Sequence, residues 1–139
     1  MVYYIQKHAL GIKVVDDKQT IIKACSMKTY LNKQCLNYLT TFEGRMHAIK
    51  RCLNQKRNIP IFIHANLCLI QTSHLHDPNN LLINICGVLS LKGNDKNTTF
   101  VFDEHTVLKI PISKAKIKKK IIAASSLAAM VSFFMKTFF

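Results

Sequence analysis

The residues best suited to chemistry in this sequence are cations grouped between positions 28 and 57. Seven lysines and arginines lie there against one acid, Glu43, and all three arginines of the chain belong to the group. Both side chains bind phosphates, and the planar arginine head also suits the narrow minor groove of A·T tracts. The alternative interpretation is a solvated helix face that binds no ligand. Seven cations against one acid favour contact with nucleic acid. The predicted DNA-binding residues are Lys28, Lys33, Arg45, Lys50, Arg51, Lys56 and Arg57.

The charge of the whole chain points the same way. Its 139 residues include 20 Lys and Arg against 7 Asp and Glu, a formal net charge of +13. A folded protein this basic repels itself, and a polyanion offsets that repulsion. Nucleic acid is the first candidate partner and an anionic membrane surface the second. Codon bias in an AT-rich genome raises the lysine count, but it does not explain why acids are so few.

Other chemistry has little support in the residue pattern. His74 and His76 form an HxH pair, but a metal site needs a third ligand, and the spacing of His64 and Cys68 does not supply one. Acids are too sparse for a paired-carboxylate site, and no GxSxG or Walker-type glycine loop occurs. The sequence therefore predicts a protein without catalytic residues, metal or cofactor.

The cysteines and the N-terminus indicate the compartment. Five cysteines are scattered without a CxxC pair, and each has apolar neighbours, so all are predicted to be reduced core residues. The N-terminus lacks the charged start and long apolar run of a signal peptide. We expect a cytoplasmic, nucleoid-associated protein. The cysteines are Cys25, Cys35, Cys52, Cys68 and Cys86.

The first half of the chain is predicted to form three strands and two helices. Residues 3–7, 12–15 and 20–26 have strand patterns. A helix over 28–39 would bury Tyr30, Leu31, Cys35, Tyr38 and Leu39. Thr40 and Glu43 match a capping box that opens a second helix over 41–54. The apolar side of that helix comprises Phe42, Met46, Ile49, Cys52 and Leu53.

The second half is predicted to be mostly strands, followed by a final helix. Strands are expected over 61–63, 67–71 and 81–91, and a hairpin joins 98–102 to 107–110. Ser113 can cap the helix, whose apolar side carries Ile117, Ile121, Leu127, Val131 and Phe134. The predicted fold is a single α+β domain over residues 1–139, a small and mostly antiparallel β scaffold with two central helices and a C-terminal helix.

The predicted final helix begins with a basic run, and the surface on which this helix packs has more than one interpretation. Its lysines precede 15 uncharged residues, 121–135, which is fewer than the roughly 20 needed to span a bilayer. A helix lying in the membrane interface is one alternative. Packing on the sheet or on a second subunit is favoured. The lysines are Lys114, Lys116, Lys118, Lys119 and Lys120.

Three segments of the sequence match, in the same order along the chain, motifs that are found in one protein family. They are SMK, Cys35 and TTFEGR within 26–45, IPIFI and CLIQT within 59–72, and TFVF with LKIPIS within 99–113. In this order and spacing they resemble the ComK family of competence regulators. The resemblance implies a DNA-binding activator of DNA-uptake genes that recognises AT-rich duplex sites through the minor groove. It also implies a homo-oligomer, with a proteolysis adaptor as a further partner, and it places Arg45 on the family's Gly-Arg element.

The chain departs from that pattern in three places. Gln71 stands where the family usually has proline, and the content of residues 72–81 differs. The chain also ends soon after the final helix, whereas longer members carry a further stretch used in regulation. We therefore expect a protein that binds DNA but activates poorly or escapes proteolytic control. The alternatives are a membrane-associated or protein-interaction module using the basic C-terminal helix, and an RNA-binding domain.

Overall fold

Three antiparallel strands open the chain. They are β1 (Val2–His8), β2 (Gly11–Asp16) and β3 (Thr20–Lys23), as the strand patterns predicted, although β3 ends three residues early. In this computed structural model, the fold of residues 1–138 and the side chains of residues 1–131 are described. Gly11 makes the bend between β1 and β2 with a φ of 137°, and a Cβ there would collide with the carbonyl oxygen of Lys23. The bend therefore requires glycine.

Helix α1 (Met27–Leu36) begins at Ser26, whose Oγ accepts a hydrogen bond from the Thr29 N–H at 3.1 Å. The predicted continuation to residue 39 is wrong, because Leu39 has a left-handed φ of 62°. Tyr38 and Leu39 were predicted to be buried, but both are exposed. The turn between the helices therefore presents apolar side chains to solvent.

Helix α2 (Phe42–Leu53) is capped one residue later than predicted. Thr41, and not Thr40, accepts a hydrogen bond from the Gly44 N–H, at 3.0 Å. The side chain of Asn32 in α1 accepts from the Phe42 N–H at 2.9 Å, so a contact between the helices fixes where α2 begins. The local capping-box pattern does not contain that information.

The predicted long strand over 81–91 is two strands separated by a 3-10 turn. Asn84 is buried at the break, and the turn covers Ile85–Gly87. The hairpin predicted over 98–110 is confirmed. Ser113 caps the last helix through the Lys116 N–H at 3.3 Å, also as predicted. The later elements are β4 (Ile61–His64), β5 (Leu67–Gln71), β6 (Leu81–Asn84), β7 (Ser90–Gly93), β8 (Thr98–Val101), β9 (Val107–Ile110) and α3 (Lys114–Phe138).

The strands form two antiparallel sheets. One has six strands in the order β3-β2-β1-β6-β5-β4, and the other has three in the order β7-β8-β9. With three helices, this is the α+β fold with a mostly antiparallel scaffold, two central helices and a C-terminal helix that the sequence predicted.

Both faces of the six-stranded sheet are covered by other elements. One apolar cluster joins α1 to one face through Leu31, Cys35, Leu69 and Leu82, among others. A second cluster joins α3 and the small sheet to the other face, through residues that include Ile70, Ile83, Phe100, Ile117 and Leu127. Strands covered on both faces have continuous apolar sequences, as the central strands β5 and β6 do.

Some of the apolar residues that were predicted to be buried along the last helix are indeed buried. Along α3, Ile117 and Leu127 are buried and Ile121 and Val131 are half-buried, while the side chain of Phe134 lies outside the described residues.

The prediction that every cysteine is a core residue is wrong. All five thiols are free, but Cys25 is only half-buried, and Cys52 and Cys86 are exposed on the outer side of α2 and in the 3-10 turn.

Candidate nucleic-acid interface

A groove of about 1420 Å³ lies where five parts of the chain meet. Its walls are the end of β1, the start of α1, one side of α2 with the loop after it, the segment following β5, and one residue of α3. We call it the basic groove, because its wall includes six cations and one acid. The cations are Lys7, Lys28, Lys50, Lys56, Arg57 and Lys120.

Helix α2 presents one side to the basic groove and another to the core. Glu43, Met46, His47 and Lys50 line the groove at intervals of three, four and seven residues, which places them on one side of a helix. Phe42 and Ile49 are buried in the core, one in each apolar cluster. Burial of those two side chains therefore fixes the direction in which Lys50 points.

The loop between α2 and β4 carries two further cations into the basic groove. Asn54 and Asn58 both have left-handed φ values, 50° and 55°, which asparagine tolerates better than most residues. The side-chain amide of Gln55 donates to the Arg57 carbonyl at 3.0 Å and so braces the loop. Lys56 and Arg57 between these residues are exposed.

Lys28 reaches Glu43, the only acid among the described residues that line the basic groove. Its Nζ lies 3.3 Å from Oε1 of Glu43, and both side chains are well exposed. Glu43, predicted to bond back to Thr40, therefore pairs with α1 instead. An exposed ion pair of this kind is worth only ~0–1 kcal/mol, so Lys28 can exchange its carboxylate for a phosphate at little cost.

The structure brings four of the seven predicted residues together and leaves three outside the groove. Lys28, Lys50, Lys56 and Arg57 line the groove, whereas Lys33, Arg45 and Arg51 do not. Arg45 is half-buried beside α1. Burial raises the pKa of the Cys35 thiol, and the positive charge of Arg45 opposes that rise. Arg51 is exposed on the outer side of α2.

Two cations of the basic groove, Lys7 and Lys120, were not predicted. Lys7 ends β1 and Lys120 lies on α3, far from residues 28–57 in sequence, so clustering along the chain could not find them. The basic run that contains Lys120 is visible in the sequence, but nothing in that run indicates which lysine turns inward. Lys120 is half-buried, and burial, with a smaller effect of Lys116, lowers the pKa of its ammonium group.

Three histidines also line the basic groove: His47, His74 and His76. Within the described part of the chain, no three His, Cys, Asp or Glu side chains are grouped so that they could hold a metal ion. The HxH pair lies in the wall of the groove together with the six cations. Its ring nitrogens add hydrogen-bonding groups beside the lysines.

Fold and groove together define an α+β protein with a concave cationic surface suited to a polyanion. The family model described as ComK protein matches residues 1–135, and the chain belongs to the ComK family. This is a family of competence transcription factors and not of enzymes. Comparisons with curated proteins and with solved structures gave no significant match. Among the described residues, none of the helices combines the length and the hydropathy required to cross a bilayer.

Proposed function

We propose that this protein is a sequence-selective DNA-binding regulator of competence genes, which serve DNA uptake. It binds AT-rich duplex DNA through the basic groove and through Lys33, Arg45 and Arg51, three cations of α1 and α2 that lie outside the groove. Membership of the ComK family supports the class of function. The charge of the groove supports the choice of ligand.

The observation that carries the proposal is the convergence of six cations from four parts of the fold on one concave surface. The only acid there, Glu43, already pairs with Lys28. Like charges repel, so folding gathers them at an electrostatic cost that a bound polyanion removes. The braced loop presents Lys56 and Arg57 to solvent, and an arginine so presented suits the narrow minor groove of A·T tracts.

Fluorescence anisotropy on AT-rich and GC-rich duplexes across a salt series tests the proposal. We expect tighter binding to AT-rich DNA, with log affinity falling by about 0.9 per neutralised phosphate for each unit of log salt. The double variant Lys50→Ala/Arg57→Ala should lose about two contacts, and so reduce the slope by roughly 1.8 and weaken binding to all sequences.

The double variant Lys92→Ala/Lys109→Ala is the matched control. It removes two exposed lysines from the small sheet, outside the groove, and should bind nearly as the unchanged protein does. If the two double variants lose affinity equally, net charge explains binding and the groove does not. Equal binding of both duplexes would contradict sequence selectivity.

Family membership also supports the remaining features that we propose. They are a single domain, assembly as a homo-oligomer, control by a proteolysis adaptor and a cytoplasmic, nucleoid-associated location. Sedimentation with and without duplex DNA tests the oligomer. The membrane alternative gains no support from α3, because Ile117 and Leu127 pack in the core and are not free to enter a lipid surface.

A further inference from the structure

The floor of the basic groove is apolar, and the binding of phosphates by the surrounding cations does not involve these apolar residues. Met46 of α2 and Leu75 of the segment after β5 are half-buried at the groove surface. Both pack against the apolar cluster that includes Met27 and Phe42, which also line the groove. A duplex carries its charges on a convex outer surface and meets the rim cations first. Met46 and Leu75 would gain little from such a ligand.

The side chains of the floor suit an apolar ligand of variable shape. Methionine is unbranched and polarisable, and it adapts to different partners at binding surfaces. Met27 and Met46 approach the groove from α1 and α2, and Ile59 and Pro60 approach it from the chain that enters β4. The groove therefore combines an adaptable apolar floor with a cationic rim.

We propose that the basic groove also docks a segment of another protein, one that carries both apolar and acidic side chains. Its apolar side chains lie on Met46 and Leu75, and its carboxylates pair with the rim cations, which include Lys50, Lys56 and Arg57. Charge complementarity sets this choice, because the described residues of the rim include six cations and one carboxylate. Docking of such a segment uses the floor of the groove and does not depend on duplex binding.

A second copy of this chain does not supply the required charge. Each copy has a net charge of +13, and its seven acids never number more than two in succession. Two basic grooves facing each other would place like charges together, which is unfavourable. An acidic and apolar segment of a different protein is the occupant that fits both floor and rim.

Two synthetic peptides with equal numbers of glutamates test the proposal. One places leucine at helical spacing so that one side is apolar, and in the other each leucine is replaced by serine. We expect the leucine peptide to bind at least about tenfold more tightly, because burying a single leucine side chain is worth roughly that factor or more. Both affinities are measured with the full chain by fluorescence anisotropy.

Substitutions in the floor locate the binding. Leu75→Asn and Met46→Gln should each weaken the leucine peptide about tenfold and leave the serine peptide unchanged. Leu89→Asn is the matched control, because Leu89 is exposed and lies outside the groove. Circular dichroism verifies the fold of each variant. If Leu75→Asn does not fold, the affinities of Met46→Gln for the two peptides provide the test.

Each outcome decides the proposal. Equal affinity for the two peptides means that the groove recognises charge alone, which overturns it. Sedimentation that shows self-association lost in Leu75→Asn, with no change in peptide binding, would identify a second copy as the occupant and also overturn it. A protein that binds the leucine peptide and no duplex would defeat the proposed function alone.

Discussion

Asn84 shows what one side chain contributes to this fold. It is completely buried, and its Nδ2 donates to the carbonyl oxygens of Val2 and Asn66 at 2.7 and 2.9 Å. Its Oδ1 accepts from the N–H groups of Cys68 and Cys86 at 3.1 and 3.3 Å. One amide therefore satisfies four backbone groups where the long strand expected over 81–91 is interrupted.

Replacing Asn84 by alanine should strongly destabilise the protein. The substitution leaves buried donors and acceptors without partners, and each costs about 1–3 kcal/mol. We expect the free energy of unfolding to fall by about 3 kcal/mol or more in urea denaturation. Asn94→Ala is the control, since Asn94 also accepts from two backbone N–H groups but is exposed, so water can replace it. Similar losses in both variants would contradict the role of burial.

Single residues were predictable where neighbours in sequence are neighbours in space. Four cations found by clustering within residues 28–57 do line one groove. Lys7 and Lys120 were not predicted to lie in this groove, because only the folded chain brings β1 and α3 to the same surface. Cys52 was predicted to be a core residue but is exposed, for a related reason. An apolar neighbourhood in sequence does not show which side of a helix faces the core.

At the scale of elements, the turn after α1 places an unfavourable residue in a left-handed conformation. Leu39 has a φ of 62° and is 97% exposed, although leucine has a Cβ that opposes this conformation and an apolar side chain. Glycine is the usual residue at such a position. The turn to α2 is thus held by contacts elsewhere, including the bond from the Phe42 N–H to Asn32.

Leu39→Gly should therefore stabilise the protein. Removing the Cβ relieves the left-handed strain, for an expected gain of about 0.5–1 kcal/mol in the free energy of unfolding. Leu36→Gly, inside the last turn of α1, should have the opposite effect, because glycine within a helix costs about 1 kcal/mol. Urea denaturation measures both. A loss of stability in Leu39→Gly would show that the exposed side chain has a stabilising contact.

Elements were predictable where their patterns are local. The strands, the Ser113 cap and the last hairpin follow from alternation and turn residues. The boundaries that failed depend on distant contacts. Two adjacent threonines both qualify as the cap of α2, and Asn32 of the other helix decides between them. The break in the strand over 81–91 depends on backbone groups of β1 and β5, which bind the Asn84 amide.

At the scale of the whole molecule, the proposed binding surface has a cost for stability. Burial lowers the pKa of Lys120, so the folded state disfavours its charged form relative to the unfolded chain. This penalty is present in full below the lowered pKa and disappears as the pH rises above the unfolded value. A bound polyanion would offset the same penalty.

Lys120→Met should consequently raise Tm at neutral pH and weaken binding to duplex DNA. The advantage in Tm over the unchanged protein should shrink as the pH approaches the ordinary titration range of lysine. Lys119→Met is the control, because Lys119 is exposed and lies outside the groove. Thermal denaturation over a pH series, with anisotropy on one duplex, measures both effects. A lower Tm in Lys120→Met would contradict the assigned penalty.

The assembly of the basic groove from distant parts of the chain has a kinetic consequence. Lys7 lies near one end of the sequence and Lys120 near the other, and β1 pairs with β6 across most of the intervening chain. Contacts of such long range form slowly, because much of the chain must lose entropy before they are made. During synthesis, the groove is therefore incomplete until α3 has emerged. A nascent chain presents its cations as separate charges, and the concave surface arises only with the finished fold.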